Sequence, residues 1–559
     1  MGYLLGHIRR ARPYSFHQSN TTSDLIMANR LYNVFFHTHT ISGIIISAAL
    51  YVIFFTGSIS FLRDEINAWE RNQPIETDYF KTIDFDKALS EIGKEKELYG
   101  RDINFSHRYF ERRVGVSMGR SKDTTLQEPK QRGRRGNFFY MDMENFDQKD
   151  YNSNYSLGEF FYRLHFFAQL NFFGRSGYFL SGFVAFFFLF AVITGVIVHW
   201  KKIISSFYVF RPKAKWKAIW TDAHVALGMI GLPYQFMFAV TGAFLIIGYM
   251  VMLPPVQSVI FDDDAQKMEK AMAYDSEQEY EFSWNKMDQQ ISINDFVEET
   301  AKDWTDVQIT NLQVINYGDE NMHIKISGSP YYSEKLLGTG QKTYRARDGF
   351  VTYDKDPFSK ISYAEGALDT LRRLHYGDFG GYGMKLIYLV LGLITCFVIL
   401  SGVLIWQVAR DRKAVSLAKR RFNAWLVHLY VAVCLSLYQV TALAFIAMKL
   451  FADDYGDMRR TFLYQVFFYS WLLLIVVFLI KRNNAFTNKA SLWLGAVIGL
   501  FVPVANGYVT NNWLWTSWNN GYYQIFVVDL FWLLMSLTAF AVLYRINAIT
   551  KQPDKVSTA

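Results

Sequence analysis

The sequence predicts an all-α polytopic membrane protein of about eight transmembrane helices, interrupted by two α+β modules that face outward. Three observations carry this prediction. The apolar residues, 51% of the chain, are gathered into long uncharged runs. The basic residues are concentrated in every second loop between those runs, which puts them on one side. The two long polar segments share one order of elements, a helix followed by strands.

The runs long enough to cross a hydrocarbon core of about 30 Å are Ile41 to Phe61, Tyr178 to Trp200, Val225 to Leu253, Leu386 to Val408, Leu426 to Met448, Phe462 to Ile480, Leu492 to Val509 and Ile525 to Leu543. The seventh is short and carries Pro503 and Asn506. The net charge of +8 is not a nucleic-acid signal, because Lys201, Lys202, Arg211, Lys213, Lys215 and Lys217 fill one short loop and Arg410, Arg412, Lys413, Lys419, Arg420 and Arg421 another. With Arg9, Arg10, Arg12 and Arg30 before the first span and Lys481, Arg482 and Lys489 after the sixth, the positive-inside rule puts both termini in the cytoplasm. The basic run Lys130 to Arg135 sits on the other side, where long translocated segments tolerate it.

The expected organisation is a cytoplasmic segment 1–32, a first span 33–62, a first outward module 63–175, spans two and three with their basic loop 176–253, and a second outward module 254–383. A fourth span 384–408, a basic loop 409–425, an additional four-helix membrane block 426–545 and a cytoplasmic tail 546–559 complete it. In the first module a helix is expected from Asp86 to about Lys96, with strands around Tyr109 to Met118 and Asn137 to Met143. In the second, a helix from Asn294 to Asp303 precedes strands at Val307 to Ile315, Met322 to Ser327, Thr343 to Arg347 and Phe350 to Tyr353, the last two joined by an Asp348-Gly349 turn.

The chain repeats itself at its membrane borders. His39 is followed by Gly43 and then Thr56-Gly57; His224 is followed at the same spacings by Gly228 and Thr241-Gly242. Arg163-Leu164-His165 and Arg373-Leu374-His375 each stand before a span on the outer side, followed by Thr194-Gly195 and Ser401-Gly402. A histidine at a membrane border is costly unless it is paired, whether with another helix or with a ligand. Two facing pairs, His39 with His224 near the cytoplasm and His165 with His375 near the outside, match the axial imidazoles of two haems, with helix–helix hydrogen bonding as the structural alternative. Arg163 and Arg373 are placed to pair with propionates or simply to anchor the chain at the interface. The glycines give room for a macrocycle or another helix.

Other residues compete. His37, His199 and His428 are substitutes on the inner side; His37 falls on a different helix face from His39. His7 and His17 are expected to be solvated loop residues, and His107 and His323 surface residues, with a role near an outside substrate as the alternative; Asp529 in the eighth span is either hydrogen-bonded near the interface or proton-handling. Gly338-Thr-Gly340 lacks the strand-to-helix context of a nucleotide loop. Cys396 and Cys434 lie inside spans, so there is no disulfide framework and no Cys-x-x-Cys-His haem attachment site. The first apolar run is too long for a cleaved signal.

On these phrases, across about residues 30 to 410, the chain resembles the PepSY-associated transmembrane proteins, whose relatives include bacterial inner-membrane ferric-siderophore reductases. The segment ending Tyr344-Arg-Ala-Arg-Asp-Gly-Phe-Val-Thr-Tyr353 looks like a PepSY domain, which makes the two outward modules PepSY-like and periplasmic. The resemblance implies two b-type haems moving electrons across the inner membrane to a periplasmic ferric siderophore or other iron chelate. The last four spans have no counterpart in the shorter four-span members. No cytoplasmic loop carries a dinucleotide fingerprint, so the expected electron donor is a quinol or a separate soluble protein. The competing reading is a non-redox membrane protein whose PepSY-like modules bind a peptide or protease, the spans serving as an anchor or part of a transporter.

Overall fold

A computed structural model describes residues 22–550 except 75–77, 108–110, 126–136, 201–215 and 273–278. His7, His17, the basic run Lys130 to Arg135 and Lys201 to Lys215 therefore lie outside the described residues.

Seven helical segments among the described residues are long and apolar enough to cross a membrane. The sequence predicts eight spans, and the difference lies at the fifth and sixth. Helices Leu417–Phe451 and Arg459–Lys481 run on through the 3-10 segment Ala452–Met458, in which Gly456 leaves the helical conformation. The chain turns there, and the two arms pack against each other.

Polar residues are tolerated inside the spans because their hydroxyls return to the backbone. In the first span, Thr22–Ser60, Thr56 donates to Val52 O and Ser58 to Phe54 O, each at 2.7 Å. Thr194 does the same to Phe190 O in the second span, Ser176–His199. Each such bond satisfies a donor that has no water to reach in hydrocarbon.

The third span departs from the expected continuous helix Val225 to Leu253. Helix Trp216–Ile230 stops, and a second helix, Leu232–Ala243, starts on Pro233. Proline lacks the N–H that would continue the ladder, and its ring clashes with the turn before it. The backbone then widens into a π-helix over Phe244–Met252 before Leu253–Ile260. His224 and Thr241 consequently stand on different helices.

The two long polar segments, expected to be separate outward modules, are not separate. Strands β1 (Ile103–Ser106), β2 (Arg113–Met118), β3 (Asn137–Asp142) and β4 (Gln148–Lys149) come from the first. Strands β5 (Val307–Ile315), β6 (His323–Pro330), β7 (Gly340–Arg345) and β8 (Val351–Lys355) come from the second. All eight form one antiparallel sheet in the order β4-β3-β2-β1-β5-β6-β7-β8. The join is β1 on β5, with Phe105 opposite Leu312 and Ile103 opposite Val314.

Helices Phe85–Gly93 and Ile293–Asp303 contribute to the same hydrophobic core as the strands, through Phe85, Ile92, Ile293 and Phe296. Each helix caps the other. Asp86 accepts from the backbone N–H of Ile293 at 2.7 Å, and Asn294 Oδ1 accepts from that of Phe85 at 2.8 Å. These bonds satisfy amides that a helix start leaves without partners, and they cross the seam between the two copies.

A short polar helix, Arg63–Arg71, fastens the parts together. Glu65 meets Lys385 of the fourth span at 2.7 Å, and Glu70 meets Arg459 at 2.5 Å. The Trp69 indole N–H donates to Asp529 at 2.7 Å. The four-helix C-terminal block is thus held to the rest by buried polar contacts.

Candidate functional site

The four border histidines meet in two pairs. His39 and His224 have ring centres 6.5 Å apart, and His165 and His375 have theirs 5.9 Å apart. Each pair takes one histidine from each repeat. The first span packs on the second and fourth, Trp216–Ile230 packs on the fourth, and Leu232–Ala243 packs on the second, so both pairs sit between repeats.

Every one of these imidazoles is held through Nδ1. His39 Nδ1 bonds Ala191 O at 2.8 Å, His165 Nδ1 bonds Ile53 O at 2.8 Å, and His224 Nδ1 bonds Val398 O at 2.9 Å. A carbonyl only accepts, so the proton resides on Nδ1 in all three. His375 Nδ1 lies 2.9 Å from Thr241 Oγ1, whose own proton goes to Met237 O at 2.8 Å. Thr241 therefore accepts, and His375 also donates from Nδ1. Four neutral imidazoles with the proton on Nδ1 have a lone pair left on Nε2, the form that binds a metal.

The Thr-Gly and Ser-Gly pairs are the other half of this arrangement. A Cβ on Gly57 would stand 2.6 Å from His165 Nδ1, and one on Gly195 would stand 3.1 Å from His39 Cε1. One on Gly402 would stand 3.2 Å from His224 Cε1, and one on Gly242 would stand 3.7 Å from His375 Cε1. Each small-residue motif thus seats a histidine carried by another helix. Gly43 and Gly228, one turn beyond His39 and His224, differ. A Cβ on Gly43 would meet nothing within 4 Å, and one on Gly228 only Val398 Cγ1 at 3.9 Å.

The spacing fits a haem iron between each pair. With metal–nitrogen bonds of about 2 Å and about 1 Å more from nitrogen to ring centre on each side, two axial imidazoles stand roughly 6 Å apart. Among the described residues no group of three or more His, Cys, Asp or Glu is placed to hold a metal directly. Two protein ligands per site suit a metal that brings its other four nitrogens in a macrocycle, and Gly43 and Gly228 leave room beside the inner pair.

Arg163 and Arg373, beside the outer pair, are engaged with carboxylates. Arg163 Nε reaches Glu159 at 2.6 Å, and Tyr151 donates to the same oxygen at 2.8 Å. Burial alone would lower the Arg163 pKa, but Glu159 outweighs it and raises the value. Arg373 meets Asp378 at 3.2 Å.

The competing histidines separate in space. His428 bonds Asn484 inside the C-terminal block. His199 is close enough to His224 to act on it electrostatically. His37 lines a cavity on a different face of the first span from His39. His323, expected at the surface, is 2% exposed because Tyr280 stacks on it with ring centres 3.7 Å apart. His107 is also largely covered, stacked on Phe80. Gly338 takes positive φ, and its N–H donates to Asp369 in a structural loop.

Thr241 and Ser401 had no assigned role in the sequence beyond marking a glycine. Ser401 Oγ lies 3.1 Å from His224 Nδ1. For Thr241 the signal was present in the fixed spacing from His224 to Thr241-Gly242, which repeats that from His39 to Thr56-Gly57; Ser401 lies at no such fixed spacing.

This geometry belongs to a polytopic membrane protein with paired histidines between internal repeats. The family model for the PepSY-associated TM region matches residues 36–409, and the chain belongs to that family. No curated protein matches it.

Proposed function

We propose that this protein is a dihaem b-type oxidoreductase of the bacterial inner membrane that passes electrons outward to a periplasmic ferric chelate, as a ferric-siderophore reductase does. The observation that carries the reading is the pair of facing imidazole couples, both with iron-compatible spacing and with all four Nδ1 atoms tied down. When bound, haem supplies one-electron chemistry at each end of the bundle.

His39 and His224 hold the inner haem, and His165 and His375 the outer one. Carbonyls and hydroxyls behind each ring fix its orientation and raise its basicity. The outer pair lies on the side of the bundle that carries the eight-stranded sheet, so the chelate is reduced there. Arg163 and Arg373 exchange part of their carboxylate contacts for propionates. The charge of the loops supports cytoplasmic termini.

The test is an absorption spectrum of protein expressed with ample haem, before and after reduction. The reading expects a Soret band, a reduced b-type peak and two haems per chain. His39→Ala and His165→Ala should each remove one haem equivalent. A purified wild-type protein without either band ends the proposal, and loss of haem with His199→Ala but not His39→Ala reassigns the inner ligand.

A further inference from the structure

The first span presents a second face, away from His39. There a cavity of about 1030 Å³ runs between it and the second span, with Arg30, Asn33 and His37 at one end and Ile45, Phe186 and Phe190 along its length. The polar end carries a cation, a carboxamide and an imidazole, while the rest is aliphatic and aromatic. Ile45 is 69% exposed and Phe190 42%, so the channel opens sideways toward the hydrocarbon.

Position gives this cavity a meaning. His37 and His39 occupy one turn of the same helix, so the polar end of the channel lies beside the inner histidine pair. We propose that it binds a membrane quinol, which delivers electrons to the inner site; this rests on the dihaem reading. A quinol has the chemistry the lining asks for. Its two hydroxyls suit His37 and Asn33, its ring suits the Arg30 guanidinium, and its isoprenoid tail suits a channel of Ile45, Phe186 and Phe190. A phospholipid tail matches the apolar part but has no use for an imidazole and a carboxamide together.

The reaction balances. One quinol becomes one quinone by losing two electrons and two protons. The two electrons would be taken up by the two haems of the dihaem reading, one by each ferric iron. The two protons leave to water at the polar end of the channel, beside Arg30. The same donor fits a chain whose loops carry no dinucleotide fingerprint.

The experiment uses the full-length protein in detergent under anaerobic conditions. Duroquinol is mixed with it and haem reduction is followed by stopped flow, with dithionite giving the total reducible haem. His37→Leu, which removes a hydrogen-bonding partner for a quinol hydroxyl, should slow reduction by duroquinol about tenfold while leaving the dithionite spectrum unchanged. Ile45→Trp, which fills the tail channel without touching His37, should slow it as well. In parallel, a photoreactive azidoquinone should label the segments 30–46 and 186–190, and excess quinone should abolish the label.

Equal duroquinol rates in wild type and both variants would overturn the proposal. So would label that falls elsewhere or resists competition, as it would if only lipid occupies the channel. A wild type with no haem in the dithionite spectrum removes the dihaem reading and the electron-entry role together, while competed labelling of the channel still establishes it as a quinone site.

Discussion

A Cβ placed on Gly57 would stand 2.6 Å from Nδ1 of His165, the same nitrogen that donates to Ile53 O. The first span therefore both seats and orients a histidine that lies far along the chain.

Gly57→Ala should displace His165 and, on the dihaem reading, cost the haem proposed at His165 and His375, because real Cβ atoms do not approach so closely and the opposing atoms belong to a ring already pinned by its hydrogen bond. Gly242→Ala should be tolerated, since its new Cβ would make only ordinary contacts with Ala185 at 3.5 Å and His375 at 3.7 Å. Haem-to-protein ratios of the two variants decide the point, and equal occupancy in both would contradict it.

Thr241→Val keeps the volume but removes the acceptor of the His375 Nδ1 proton. An iron held by His375, as the dihaem reading proposes, would then receive less electron density, so the midpoint potential of the haem at His165 and His375 should rise while the other stays put. Affinity for the outer haem should drop about 10–100-fold, as is usual when such a partner is lost. A redox titration with the potential of both haems unmoved would remove Thr241 from the site.

Asp529 accepts from the Trp69 indole at 2.7 Å and from the Asn506 amide at 2.8 Å, with no solvent exposure. Asp529→Ala leaves both donors buried and unsatisfied, a loss of about 2–5 kcal/mol. Asp529→Asn keeps one acceptor and should cost less. Thermal unfolding in detergent should follow that order while haem content is unchanged. A variant that stays stable but transfers electrons more slowly would make Asp529 a proton-handling group instead.

The sheet should weaken in acid through His107. Burial pushes its pKa down to about 4, below the 6.5 of the unfolded chain, with Asp64 opposing in part. Between those values the unfolded chain binds the extra proton, so stability falls as pH drops from 6.5 toward 4, by up to about 3 kcal/mol. Above 6.5 the effect is absent. His107→Gln should flatten this limb in a protease-resistance profile of the sheet; an identical acid profile in both proteins would assign the acid limb to other groups.

The sequence by itself determined where the chain can cross a membrane, which helix-then-strands segments lie between crossings, and which four histidines recur at the borders. Those features are local: an apolar run, a period of alternation and a fixed spacing from histidine to Thr-Gly all lie within one element or its neighbour. Ile103–Ser106 and Gln148–Lys149 escaped because four and two residues are too few to show a period. The break at Pro233 was legible in principle, but the apolar run around it masked it.

Only the tertiary structure decided that the two long polar segments share one sheet through β1 and β5, since strand pairing is set by register between segments distant in sequence. It also decided that each Thr-Gly or Ser-Gly pair serves a histidine on another helix, with His39 reaching Ala191 across 152 positions. Periodicity tells which face of a helix a residue occupies. Which neighbour that face meets depends on how the helices pack, and that packing made four repeated histidines into two facing couples.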